Sequence, residues 1–293
     1  MFSELINILV PVFVLAAVGY GWSRSGAPFE REFVTRLVIN VAGPCLVVDT
    51  LGNLSVPPVE FIGMLGASAA LFLATWIAAW AILAALGMPQ RVYLPVMAIG
   101  NTGNLGLPLC VFAFGEAGLA FAVAVYATNS VLQFTVTPVV MSGESPLRTL
   151  FTSPIIYGAV IGLVVLFANI DLPQWVDSSL GLLGNLLIPL MLIALGNTLA
   201  QLKMQRVGAA MAYGAGRIVL GFAVAHVIAW AFDLEGVAKG VIVLQGSMPA
   251  AVFTYLFAAR YNRSPEVVAG IVLSSSLISA AVLPLLVAYV LSF

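Results

Sequence analysis

Apolar residues dominate the chain in long, unbroken runs. The runs stop only at short turns marked by polar residues, proline or glycine. A membrane-spanning helix needs about 20 apolar residues. Reading the breaks as turns predicts ten helices, at 5–22, 33–52, 60–87, 91–114, 117–140, 153–170, 178–200, 206–232, 236–259 and 266–291. A transmembrane barrel would alternate apolar and polar positions with period two, whereas these runs are apolar throughout. The first run carries Glu4 and lacks a basic leader, so it reads as a span rather than a cleaved signal.

Composition sharpens this. Hydrophobic residues make up 62% of 293 residues and charged residues 8%, with a mean hydropathy of +1.11. Soluble domains are about 25% charged, and a chain so poor in polar groups could not cover its own surface in water. A water-soluble enzyme, a nucleic-acid binder and a disordered scaffold are excluded; the partner is the lipid bilayer. A net charge of -1 predicts no strong electrostatic partner. Cys45 and Cys110 read as small core residues, and with one histidine and neither CxxC nor HExxH, no metal site is expected.

The few charges are ordered. Arg24, Arg31 and Arg36, then Arg91, Arg148, Lys203, Arg206, Arg260 and Arg263, all fall at odd-numbered loops. Acidic Glu60, Glu116, Asp171, Asp177, Asp233 and Glu235 occupy the others. By the positive-inside rule the odd loops are cytoplasmic and both termini lie outside. Arg217 and Lys239 fall within predicted spans.

The halves resemble each other at a shift of about 144 residues. Pro11 and Gly19 match Pro154 and Gly162; Asn40 and Pro44 match Asn185 and Pro189; Leu51-Gly52-Asn53 matches Leu195-Gly196-Asn197. Asn104 corresponds to Pro249, and Asn129-Ser130 to Ser274-Ser275. Five spans per half (1–145 and 146–293) would insert the halves in opposite senses, an inverted repeat of the kind found in secondary transporters.

Candidate chemistry sits in the fourth and ninth spans. The stretch Gly100–Pro108 holds three glycines and a proline (Gly100, Gly103, Gly106 and Pro108), with Asn101 and Asn104 between them. Each interior Gly costs about 1 kcal/mol and an interior Pro about 3, so an unwound stretch between two half-helices is expected, with Asn104 capping the second. The ninth span breaks equivalently at Gln245-Gly246-Ser247-Met248-Pro249. Two broken helices crossing at mid-membrane would offer their N-terminal N–H groups to an anion. Asn101, Asn104, Gln245 and Ser247, together with Asn129 and Gln133 of the fifth span, would supply neutral hydrogen bonds. Ser274, Ser275, Ser276 and Ser279 have two readings, lining a cavity or satisfying freed backbone.

Three of the ionisable residues within spans carry candidate roles. Arg217 falls near mid-membrane, either pairing with a substrate carboxylate or offsetting the negative C-terminal ends of the broken helices. Asp49 is a candidate coupling group for H⁺ or Na⁺, with snorkelling as the alternative. His226 reads as packing or as a proton shuttle. A hydrolase reading would need Ser68, in Gly66-Ala67-Ser68, to pair with His226; no oxyanion motif accompanies them.

At these residues the chain resembles the auxin efflux carrier family. The resemblance rests on GNTGNLGLPL (100–109), MPAAVFTYLFAARYN (248–262), and NVAGPCLV with NLLIPLML in the second and seventh spans, and covers nearly the whole chain. It implies a fold similar to bile-acid/sodium symporters, in the bacterial cytoplasmic (inner) membrane. It implies a scaffold of spans 1, 2, 6 and 7, often a homodimer interface, and a transport domain of spans 3–5 and 8–10 that moves by an elevator mechanism. Asn101, Asn104, Pro108 and Pro249 inherit the family's site positions, whereas Phe253 and Thr254 stand where many relatives have Asn. The implied function is secondary transport of small organic anions, with no enzymatic activity and no cofactor beyond a coupling ion. The alternative is a sodium- or proton-coupled symporter or antiporter of the same architecture.

Overall fold

The computed structural model describes residues 2–54, 56–142, 154–168, 170–201 and 207–293. Arg148, Lys203 and Arg206, and the junction between the two halves, lie outside them. The described residues form helices joined by short turns, with a single isolated β-bridge.

In chain order the helices are α1 (Phe2–Arg24), α2 (Arg31–Leu37), α3 (Gly43–Gly52), α4 (Pro58–Ala85), α5 (Gln90–Ala98), α6 (Leu107–Ser142), α7 (Pro154–Phe167), α8 (Gln174–Asn185), α9 (Leu187–Gln201), α10 (Val207–Ala231), α11 (Gly236–Gly246), α12 (Val252–Arg260) and α13 (Pro265–Val290). Wide π-type turns at Val38–Ala42 and Thr102–Gly106 precede α3 and α6. Seven stretches are long and apolar enough to cross a membrane: Ile6–Arg24, Glu32–Gly52, Pro58–Ala85, Thr102–Ser142, Gln174–Gln201, Val207–Ala231 and Pro265–Val290. Ile156–Phe167 and Gly236–Gly246 are shorter apolar helices. The protein is thus an all-helical, polytopic membrane protein.

Thr102–Ser142 spans 41 residues, twice a membrane thickness, and folds back on itself at Gly115. That residue has φ 65 and ψ -150, a conformation that requires glycine. Beyond it, a β-carbon on Gly118 would lie 2.5 Å from the Cys110 carbonyl oxygen. Eight residues of straight helix would separate these positions by about 12 Å, so the chain has reversed.

Packing crosses between the halves. The most extensive helix pairs are α1 with α9, α3 with α7, and α10 with α13. In the first, backbones touch: a β-carbon on Gly196 would lie 1.8 Å from the Ala16 carbonyl oxygen, and one on Gly19 would lie 1.9 Å from that of Ile193. In the second, Gly158 lies against Pro44 and Gly162 against Leu51. Small residues that let helices approach supply van der Waals contact where lipid removes any hydrophobic drive.

Large apolar side chains face outward along the same helices. Val14 and Trp22 of α1, Val160 and Val164 of α7, Leu182 of α8, Ile77 and Trp80 of α4, and Val219 and Trp230 of α10 are all exposed. So much exposed apolar surface is stable only in lipid. Polar residues run inward instead: Asn101, Gln133, Asn197, Arg217 and Gln245 are buried.

Gly196→Val should force α1 and α9 apart. We expect a loss of about 1–3 kcal/mol or more, read as a lowered melting temperature of the detergent-purified protein. Gly21→Val, on α1 at a position where a β-carbon meets nothing, should leave it unchanged.

Candidate functional site

The two breaks meet. After α5, Ile99 is extended (φ -98, ψ 118); before α12, Ala251 is extended (φ -67, ψ 133). These strands, too short to form a sheet, pair antiparallel around Gly100 and Ala250. The Asn101 N–H donates to the Pro249 carbonyl at 2.7 Å, and the Ala251 N–H to the Ile99 carbonyl at 3.0 Å. A third donor, the Ala250 N–H, reaches the Ser275 hydroxyl of α13 at 3.1 Å. Of the two readings of the serines in the last span, Ser275 therefore serves the freed backbone. Ser274 donates to the Ala210 carbonyl at 2.6 Å, and Ser276 turns back to Val272.

Local sequence explains the break. Pro249 has no N–H and could not continue α11. Pro108 likewise cannot donate into its own helix, and the wide turn upstream absorbs the mismatch, with the Gly106 N–H reaching the Asn101 carbonyl at 3.1 Å. The capping expectation for Asn104 is corrected here. The residue at the N-terminal boundary is Asn101, which makes no side-chain cap, and Asn104 lies inside the turn. The glycines that permit unwinding place the helix start three residues earlier than capping preference suggested.

The crossover gives two poles. The ends of α5 and α11 carry the unpaired carbonyls of helix C-termini, and the starts of the Thr102 turn and of α12 carry unpaired N–H groups. A small cavity of about 20 Å³ opens at the N-terminal pole, lined by Asn101, Thr102, Gly103, Asn104, Ala251 and Phe253 of the breaks. Asn129, Ser130, Gln133 and Tyr126 of α6 complete it, with Ile39 and Met191 opposite. Among its polar atoms, Asn101 Nδ2 makes no hydrogen bond, and Asn129 Nδ2 donates to Thr102 Oγ1 at 2.9 Å. Tyr126, Thr102 and Ser130 escaped the sequence reading, although Tyr126, Asn129, Ser130 and Gln133 form a polar stripe at helical spacing on α6.

A second small cavity, of about 20 Å³, lies at the C-terminal pole beside Ala98, Gly100, Gln245 and Gly246, with Ser68, Thr75, Thr102, Asn129 and Arg217 in its walls. Arg217 is 3% exposed, and no carboxylate lines that cavity. A β-carbon on Gly100 would lie 2.5 Å from Nη2, and one on Gly221 would lie 2.4 Å from Nη1, so the guanidinium lies between two glycines. Gln245 is fully buried and packs on Gly106. A third cavity of about 520 Å³ runs between α2, α9 and α12, and shares Asn104 and Phe253 with the first. Its far end holds Glu32 and Arg36, an exposed ion pair one helical turn apart.

Not every expected site residue joins these walls. Ser247 and Thr254 are buried and donate to the carbonyls of Val243 and Ala251, both at 2.6 Å. Neither lines the cavities at the two poles. Asp49 is also apart from both. It accepts from Asn53 at 3.3 Å, and Asn53 also donates to Asp177 of α8 at 2.8 Å. His226 contacts the Phe222 carbonyl and the Tyr289 hydroxyl, each at 2.9 Å, and packs against the Phe222 ring. Ser68 donates to the Met64 carbonyl, so Ser68 and His226 do not pair as nucleophile and base. Cys45 and Cys110 are free thiols.

A helical bundle with seven candidate spans among the described residues and two interrupted helices that pair with each other is an arrangement found in membrane transporters, and comparison with known proteins agrees. The chain belongs to the membrane transport protein family, which matches residues 5–145 and 138–287. It is 28% identical over 299 residues to an uncharacterized transporter of Methanothermobacter thermautotrophicus, covering 97% of this chain and 98% of that one. It is 24% identical over 305 residues to an uncharacterized transporter of Methanocaldococcus jannaschii, covering 96% and 97%. Auxin efflux carrier component 2 of Oryza sativa subsp. japonica is 30% identical over 149 residues, 48% of this chain and 23% of that protein.

Ser275→Ala would leave the buried Ala250 N–H without an acceptor. A loss of about 1–3 kcal/mol is expected, measured by thermal unfolding, against little change for Ser276→Ala.

Proposed function

We propose that this protein is a secondary transporter of small organic anions, mono- or dicarboxylates or auxin-like acids. The observation that carries the reading is the cavity at the N-terminal pole. Two helix starts direct unpaired N–H groups and positive partial charge toward it, and its side chains are neutral amides and hydroxyls rather than acids. That combination favours a carboxylate over a cation. The substrate contacts we assign are Asn101, Asn104, Asn129 and Gln133.

The architecture follows the same reading. Ten spans result if α2 with α3, and α8 with α9, each form one bent span, if α6 turns at Gly115, and if α5 and α11 begin spans that resume after the breaks. The pairings are then symmetric: span 1 on span 7 mirrors span 6 on span 2. This supports two inverted repeats, 1–145 and 146–293. Spans 1, 2, 6 and 7 would be the scaffold, with the homodimer interface on their exposed apolar faces. Spans 3–5 and 8–10 would carry the crossover past it, elevator fashion. Ile39 and Met191, which border the cavity from spans 2 and 7, are the scaffold's contact with it. The third cavity, ending at Arg36, is the cytoplasmic approach to Asn104, with the termini outside a bacterial inner membrane.

Uptake into proteoliposomes from a panel of malonate, malate, indole-acetate and a bile acid tests this. Saturable uptake of one carboxylate is expected, falling at least about tenfold in Asn104→Ala while folded yield is kept. Cation flux driven by Na⁺ or H⁺, with no carboxylate uptake, would overturn it in favour of a cation-coupled carrier centred on Asp49.

A further inference from the structure

We propose that Arg217 is a built-in counter-cation for the crossover: it occupies the place between the C-terminal ends of α5 and α11 where a free cation would otherwise be held. The proposal deepens the organic-anion reading and rests on it for its transport arm.

The electrostatics lead there. Each helix C-terminus carries about half a negative elementary charge. Two such ends, at Ala98–Gly100 and Gln245–Gly246, face one cavity near mid-membrane. Together they amount to about one negative charge, in a region where water cannot screen it. Arg217 supplies one positive charge and has no carboxylate beside it in that cavity. A buried guanidinium without an acidic partner is costly; here the two helix ends are the partner. It therefore balances backbone, not a side chain.

Fit supports the assignment. Gly100 and Gly221 face opposite nitrogens of the guanidinium, and a β-carbon at either would overlap it. The Gly246 carbonyl oxygen and Nη1 lie 1.9 and 2.4 Å from the position of that same missing β-carbon on Gly221. They are therefore at most about 4.3 Å apart, the sum of those distances. The remaining walls offer the oxygens of Ser68, Thr75, Thr102 and Gln245, hard neutral donors of the kind that hold Na⁺ when no side-chain cation is present. Nε and Nη1 donate no hydrogen bond to the protein, so charge and shape, rather than directed bonds, define this position. A free cation able to enter should replace the side chain once it is removed.

The test compares wild type with Arg217→Ala and Arg217→Lys as purified, full-length proteins. In Arg217→Ala, guanidinium or Na⁺ at millimolar concentration should raise the melting temperature saturably, while choline should not. Wild type and Arg217→Lys should show no such response. In proteoliposomes, carboxylate uptake by Arg217→Ala should fall at least about tenfold in choline medium and recover to within about threefold of wild type with guanidinium or Na⁺. Wild-type uptake should be the same in Na⁺ and choline. Saturable Na⁺ stabilisation of wild type, or no cation response in Arg217→Ala, would overturn the proposal. If Arg217→Ala yields no folded protein, folding of Arg217→Lys supports a role for charge, and failure of both variants overturns it. The melting-temperature arm needs no transport, so absence of uptake by wild type would sink the anion reading without deciding this one.

Discussion

Backbone interrupted in the middle of a bilayer must find hydrogen bonds inside the protein, because lipid offers none. This requirement organises the molecule. The break after α5 and the break before α12 each satisfy the other through the Asn101–Pro249 and Ala251–Ile99 bonds. Ser275 takes up a donor that the pairing leaves over. Neither break would be tolerable alone. Their mutual pairing fixes where the four half-helices end, and so where their charges lie. One pole collects N–H groups and neutral amides; the other collects carbonyls and the buried Arg217. This separation of charge arises from main-chain geometry before any side chain is considered.

Around this centre the helices divide by how closely they approach. Where α1 meets α9, carbonyl oxygens take the space that β-carbons would occupy, so this pair is a rigid unit. By contrast, the polar centre is bordered by Ile39 and Met191, side chains that meet it through non-directional apolar contact.

Much of this was legible in the sequence. Long apolar runs gave the helices, and the Gly, Pro and Asn content of 100–108 and 245–249 located both breaks to within a few residues. Burial of Arg217 followed from its place in an apolar span. Three things were not legible. Asn104 reads as a cap on propensity, yet the turn begins at Asn101, because the pairing to Pro249 fixes the boundary through a contact 148 residues away in sequence. Ser247 and Thr254 carry the right chemistry but spend their hydroxyls on carbonyls of their own segments, a choice set by rotamer and not by residue type. The polar stripe through Tyr126 and Ser130 was visible at helical spacing, but only the structure turns it toward the breaks.

The cross-pairing of α1 with α9 and α3 with α7 has a consequence for how such a chain can be assembled. Each half presents to the other the glycine faces that it cannot cover itself. A polypeptide ending after α6 would leave Gly19 and Leu51 facing lipid tails, and one beginning at α7 would leave Gly162 and Gly196 in the same condition. During synthesis the helices up to α6 must wait, incompletely packed, until α7 and α9 enter the bilayer.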